Sequence, residues 1–441
     1  MTNAAYGALD YASFPFGMLL VAPVVLHRIG AAEYGLWMVS TAVVSMGGIL
    51  ASGFCDANIQ RVARLRGTGD LWAMVCTVRS MLAINLLLGS AFASVAWAAA
   101  PYAARHIAAS HSVSAAECLI ALRIASVLIL VRAIETIGVS TQRAFEQYRS
   151  SVQISTAVRL CTLATAALLA FLERRTISIL AATAVFLILG TALQFRQARR
   201  LLNTASLWPA FEPEATRSLL SSGIFIWLQA LGALIFTQFD RILLGVSLGA
   251  QAVASYALCV QFAQPLDGLT ASGLNFLFPF LSGRAGTMSK EMVRRTLLKA
   301  LGCNLAAVGC CAAMLLLAGN WLMRIWAGAA VARSSASIFP LIVLGAAFTG
   351  FSVTGIYALQ ALGRFRTVAL ISLGTRAAML PLMIYLLHQW GIEGLAVSRL
   401  CLGSVALLVY LPLRPLLAAG REGPASSTSS VPFALQKGSQ L

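Results

Sequence analysis

The chain alternates long uncharged runs with short charged ones. A helix of about 20 apolar residues is long enough to cross a hydrocarbon core of ~30 Å. Twelve such runs fall near residues 11–27, 34–54, 78–100, 117–138, 152–172, 176–195, 219–245, 251–282, 296–318, 337–361, 367–387 and 392–413. Polar positions inside them are ordered. In the second run Thr41, Ser45, Gly48 and Ser52 recur at helical spacing, so one side of that helix is small and polar. In the eighth, Gln261, Gln264, Gly268, Ala271 and Asn275 share a narrow face, and the seventh carries Ser222, Gln229, Gly232 and Asp240 on a similar line. Such stripes fit two arrangements: close packing, because small residues let backbones approach, or the lining of a water-filled passage. The eighth run also contains Gln264-Pro265-Leu266-Asp267-Gly268. Proline removes a backbone donor, which predicts an interruption there, and Pro15 and Pro23 of the first run also permit bending.

The pattern repeats. YRSSVQISTAVR from Tyr148 and FRTVALISLGTR from Phe365 align without a gap at an offset of 217, pairing Arg149 with Arg366, Ile154 with Ile371, Ser155 with Ser372 and Arg159 with Arg376. Gly30 and Gly249, Gly53 and Gly273, and Arg79 and Lys299 recur at nearly the same offset. The expected fold class is therefore an all-α polytopic membrane protein, with twelve transmembrane helices in two six-helix pseudo-symmetric bundles around a central cavity. The expected divisions are 1–200 for the first bundle, 201–217 for a basic cytoplasmic linker, 218–414 for the second bundle and 415–441 for a disordered tail rich in Ser, Gly and Gln.

Composition agrees. The chain has 441 residues, 59% hydrophobic and 11% charged, against roughly 25% charged in a soluble domain. Its solvent must be lipid. The net charge of +17 sits mostly in short connections, and the bias of Lys and Arg toward one set of them predicts that both termini are cytoplasmic. Nucleic acid is excluded as a partner, because no basic stretch accompanies a folded recognition module. The nine cysteines lie in or beside apolar runs without metal-ligand spacing. The first run lacks a basic leader and reads as a retained span. GxxxxGK[ST], HExxH and GxSxG motifs are absent, so no catalytic residue, metal or cofactor is expected and the chain does not read as an enzyme. Uphill movement would draw on an H+ or Na+ gradient, the membrane potential, or consumption of product on the far side.

Charge inside the runs is the sharpest feature. Arg123 and Arg132 lie in the fourth run, Arg159 in the fifth, Arg376 in the eleventh and Arg399 in the twelfth. Each costs at least ~2.5–3.5 kcal/mol at a span centre, so such residues face a bundle interior or water. Guanidinium holds a rigid donor fork suited to phosphate and carboxylate oxygens. The candidate cavity residues are therefore Arg123, Arg132, Glu135, Arg159, Arg376 and Arg399, with Thr41, Ser45, Gln229, Gln261 and Gln264. Structural alternatives stand beside this reading. Arg132 and Glu135, three apart, can pair on one helix face, and Arg159, Arg376 and Arg399 lie near span ends and can snorkel to headgroups. Asp240 and Asp267 are candidate ion-coupling carboxylates, or carboxylates neutralised by a neighbouring arginine.

The stretch RIGAAEYGLWMVSTAVVSMGGILASGFCDANIQRVARLR carries a family resemblance through Gly30, Tyr34, Gly35, Trp37, Asp56, Asn58, Arg61 and Arg64. It resembles the bacterial oligosaccharide flippases of the polysaccharide-biosynthesis type, in the multidrug/oligosaccharidyl-lipid/polysaccharide exporter superfamily. The resemblance implies a flippase for an undecaprenyl-diphosphate-linked oligosaccharide in O-antigen, capsule, lipopolysaccharide or exopolysaccharide assembly. Its partners would be that lipid-linked substrate, the bilayer and other polysaccharide-assembly proteins. Two alternatives remain: a multidrug or cation antiporter of the same fold, and a membrane polysaccharide polymerase or ligase, for which no long outer loop with clustered Arg and His is visible.

Overall fold

The computed structural model describes residues 2–108, 113–173, 175–204, 206–217, 238–274, 290–362 and 364–415, with Leu219, Leu220, Ile224, Trp227 and Gly232. Among the described residues every regular element is helical: α1 (Thr2–Ile29), α2 (Ala31–Thr68), α3 (Leu71–Ile107), α4 (Ala115–Ala144), α5 (Tyr148–Leu172), α6 (Thr176–Leu201), α7 (Asp240–Leu248), α8 (Ala250–Leu274), α9 (Lys290–Ala327), α10 (Ala329–Ser335), α11 (Ile338–Ala361), α12 (Phe365–Ala406) and a 3-10 helix, Leu407–Leu413. α3, α5, α6, α9, α11 and α12 with its 3-10 extension are long and apolar enough to cross a membrane. Their outward surfaces carry exposed apolar side chains such as Leu87, Leu168, Leu189 and Leu317. The chain is a multi-pass helical membrane protein.

Tight junctions set the helix order. Gly30, between α1 and α2, has φ 85° and ψ 167°, and Gly249, between α7 and α8, has φ 83° and ψ 173°. This region of backbone space is essentially reserved for glycine. The two glycines paired by the sequence offset thus make the same turn. Gly391 (φ 58°, ψ −133°) breaks α12 into arms 365–390 and 392–406, so the eleventh and twelfth expected spans are joined by one non-helical residue.

One expectation needs correction. The helix runs through Pro265 rather than stopping there: α8 is helical from Ala250 to Leu274. Proline withholds one donor, and the other backbone bonds carry the helix past it. Pro15 and Pro23 lie inside α1. The stretch between the ninth and tenth runs is formed by the end of α9 and by α10. Most of the seventh run, residues 275–289 and the tail after residue 415 lie outside the described residues, and with them Ser222, Gln229 and Asn275.

The packing has two ends of different character. At the end carrying Gly30, Gly249 and Gly328, one hydrophobic core draws on both the early and the late helices, including Tyr34, Leu36, Ile107, Leu244, Val253 and Met323. At the end carrying Gly69 the core divides among the described residues. One part joins Phe54, Val62, Met81 and Ile137 of α2–α4 with Leu202, Leu207 and Leu219. The other joins Leu297, Leu359, Val368 and Leu413 of α9, α11, α12 and the 3-10 helix. The segment after α6 is tied to α3, where Arg79 Nε donates to the Trp208 carbonyl at 3.0 Å and the Glu212 N–H donates to Ser80 Oγ at 3.1 Å.

Candidate functional site

The α2 stripe is the spine of the site. Continued toward the Gly30 end at four- and three-residue steps it takes in Met38 and Tyr34. There it is sealed. Tyr34 is fully buried, and its hydroxyl and the Gln261 amide of α8 exchange hydrogen bonds, Oη to Oε1 at 3.2 Å and Nε2 to Oη at 3.0 Å. The same Nε2 lies 3.4 Å from Met38 Sδ. A Cβ on Gly35 would lie 1.7 Å from the Ala250 carbonyl oxygen, so the two backbones touch with no side chain between them. Along the stripe toward the Gly69 end the cover is lost. Thr41 and Ser45 are half-buried, a Cβ on Gly48 would meet nothing within 4 Å, and Ser52 is exposed. The adjacent Gly47, by contrast, is pressed on the Ile129 carbonyl of α4. The Thr41 and Ser45 hydroxyls donate to the Trp37 and Thr41 carbonyls, each at 2.8 Å. They keep acceptor capacity toward the open side. Gln261 therefore joins α2 to α8 in this conformation rather than facing open space. Gln264 is half-buried beyond it, and the Asp267 side chain lies outside the described residues.

On α4, Arg132 and Glu135 pair at 2.6 Å, with the guanidinium 31% and the carboxylate 7% exposed. Arg123 takes a different place. Nine residues make two and a half helical turns, so it lies on the opposite face from Arg132. Its guanidinium stacks 4.9 Å over Trp97 of α3, an exposed ring. The two arginines thus point to different neighbours. Arg159 of α5 donates to Ser13 of α1 at 3.1 Å, and Arg376 of α12 sits beside Gly232.

The residues expected to serve separately as cavity arginine and ion-coupling carboxylate form one cluster. Asp240 Oδ2 accepts from Arg399 Nη2 at 2.6 Å, from Arg399 Nε at 3.0 Å and from the Tyr256 hydroxyl at 2.7 Å. The Asp240 side chain is 2% exposed and that of Arg399 24%. This ties α7, α8 and α12 together. The neutralised-carboxylate alternative describes Asp240 here. Sequence reasoning missed Tyr256, a buried phenol in an apolar run, and Arg241, which is buried beside it.

A further pair of side chains was overlooked. Asn85 of α3 donates to the Ala133 carbonyl at 3.0 Å and to Thr136 Oγ1 at 3.3 Å on α4. Asn304 of α9 donates to the Gly350 carbonyl and to Thr354 Oγ1 on α11, both at 3.0 Å. The same polar staple recurs at nearly the offset of the aligned segments. An asparagine placed alike in two apolar runs was the signal.

Among the described residues no group of three or more His, Cys, Asp or Glu side chains is arranged to hold a metal ion.

Comparison with known proteins places this geometry. Residues 10–283 match the family described as polysaccharide biosynthesis protein. A “Putative O-antigen transporter” of Shigella flexneri is 25% identical over 167 residues, covering 37% of this chain and 38% of that relative, well under half its length. The fold matches a multidrug resistance MATE family transporter of the MOP superfamily in an inward-facing conformation, with TM-score 0.73 and 14% identity, over 95% of this chain and 100% of that one. It also matches lipid II flippase MurJ in an inward closed conformation, with TM-score 0.72 and 14% identity, over 96% of this chain and 88% of that one. At these identities the likeness is one of fold.

Proposed function

The chain belongs to the polysaccharide biosynthesis protein family of the MOP superfamily of transporters, and from that premise we propose that it flips an undecaprenyl-diphosphate-linked oligosaccharide from the cytoplasmic to the outer leaflet of the bacterial inner membrane. In this reading the helices form two six-helix bundles, 1–200 and 218–414, joined by the 201–217 linker, and both termini are cytoplasmic. The product would feed O-antigen, capsule or exopolysaccharide assembly.

One observation carries the reading. The α2 stripe is locked to α8 by Tyr34 and Gln261 at one end and uncovered from Gly48 to Ser52 toward the other, where the hydrophobic core has divided. In this reading the uncovered stripe lines a cleft that takes a polar headgroup from one side of the membrane while the prenyl tail stays in lipid. The excess of Lys and Arg in the connections on that side supports a cytoplasmic opening. Arg132 supplies a guanidinium for diphosphate or acidic sugar oxygens, and Glu135 holds it until the substrate competes. Rocking of one bundle against the other then exposes the headgroup outward. No bond is broken, so no catalytic group is required. The names of the fold relatives keep a multidrug or cation antiporter as the second reading. Against it, Asp240 is already held by Arg399 and Tyr256 and is not free to bind a cation in this state.

The test is a deletion strain analysed by leaflet. Lipid-linked repeat units should accumulate on the cytoplasmic face and clear when the wild-type gene is restored. Single units reaching the outer leaflet unpolymerised would overturn the flippase reading.

A further inference from the structure

The C-terminal end of α6 carries a feature that the proposed passage does not use. Arg196, Arg199 and Arg200 lie at helical spacing on one face and, with Ala192, Phe195, Asn203, Thr204 and Leu207, line a cavity of about 800 Å³. All three arginines are exposed, and among the described residues none is held in an ion pair. The carbonyls at the helix end do not occupy them. Ala198, Arg200 and Arg199 carbonyls accept from the N–H groups of Leu202 at 3.0 Å, Asn203 at 3.3 Å and Thr204 at 3.2 Å. Asn203 adopts a positive φ of 48° to close that cap. Three guanidiniums thus line a roomy recess, with no paired carboxylate among the described residues.

What lies below them identifies the occupant. Toward the Gly30 end, α6 presents Leu193, Leu189, Ile188 and Val185, each between 46% and 55% exposed. From Arg196 to Val185 the helix rises about 16 Å, close to one leaflet of a hydrocarbon core of ~30 Å. The face is apolar for the depth of an acyl chain and cationic at the depth of a headgroup. A soluble acidic protein would match the arginines and leave the apolar strip bare.

We propose that this recess is a binding site for an anionic phospholipid, with the phosphodiester on Arg196, Arg199 and Arg200 and the acyl chains along Leu193, Leu189 and Val185. Guanidinium suits phosphate oxygens through paired N–H donors, and basic recesses at the membrane interface favour anionic headgroups. The site lies on the rim of the helix bundle, and the proposal stands whether or not the cleft carries an oligosaccharide.

The experiment uses the full chain purified in detergent. It is exposed to phosphatidylglycerol or phosphatidylcholine of equal chain length, and retained lipid is counted by native mass spectrometry. Wild-type protein should retain phosphatidylglycerol at least tenfold better than phosphatidylcholine. R196Q/R199Q/R200Q should lose that preference, whereas R294Q/R295Q/K299Q, with equal charge loss at the start of α9, should keep it. Equal losses in both variants would mean a general surface potential and overturn the site, as would undiminished binding in the α6 variant. If inorganic phosphate displaces the lipid at low millimolar concentration, the occupant is free phosphate and the lipid assignment is wrong. Should the triple variant fail to fold, R199Q and R200Q singly carry the same comparison, each with about a threefold loss expected.

Discussion

The ion pair between Asp240 and Arg399 can be weighed by a double-mutant cycle. Its carboxylate is almost sealed at 2% exposure, while the guanidinium keeps 24%. Removing one partner of a buried pair costs about 3–5 kcal/mol, because the remaining charge is stranded. R399L strands the more buried member and should fall near the top of that range, eased by the Tyr256 hydroxyl, which still donates to Asp240. D240L strands a guanidinium with some access to solvent and should fall near the bottom. The double variant removes both desolvation penalties of the pair and should cost less than either single change, the remainder coming from the buried Arg241, which loses its neighbouring carboxylate. The coupling energy should therefore exceed ~2 kcal/mol. Reversible unfolding in mixed SDS and dodecyl maltoside micelles, followed by circular dichroism, measures all three. Additivity within ~0.5 kcal/mol would refute the pairing and return Asp240 to the candidates for cation binding.

Other outcomes follow from the same geometry. R132A should abolish polysaccharide output at normal protein levels, whereas R123A, on the opposite face against Trp97, should leave output intact; equal effects in a complementation assay would undo the assignment of faces. G30A and G249A should destabilise alike, by roughly 1–3 kcal/mol, because both glycines occupy the same glycine-only region; the micelle unfolding assay compares them. N85L and N304L should each cost about 1–3 kcal/mol by removing two interhelical hydrogen bonds apiece, and a large difference between them would argue against equivalent staples. Y34F with Q261L should loosen the sealed end, read as faster maleimide labelling of a cysteine placed at Val39.

The helices and the stripe were legible because periodicity is written into the chain. Thr41, Ser45, Gly48 and Ser52 fall on one face whatever surrounds them. Partners were not legible, because pairing is a property of distance. Asp240 and Arg399 lie on helices far apart in sequence, and the choice between ion site and ion pair needed both. Gln261 illustrates the same limit, since its place on a polar face does not say that Tyr34 comes to meet it. The opposed faces of Arg123 and Arg132 were available from counting alone. The helix through Pro265 was not, because proline weakens a helix without dictating whether the neighbours hold it.

The contact of Gly35 with the Ala250 carbonyl has a kinetic consequence. Where two backbones meet directly there is no side chain to rotate or slide, so α2 and α8 have no soft intermediate separation. Packed interfaces of that kind switch between discrete arrangements. Single-molecule energy transfer between dyes on α2 and α8 should then show abrupt jumps between fixed levels, with dwell times rather than a drifting distance as the quantity that substrate alters.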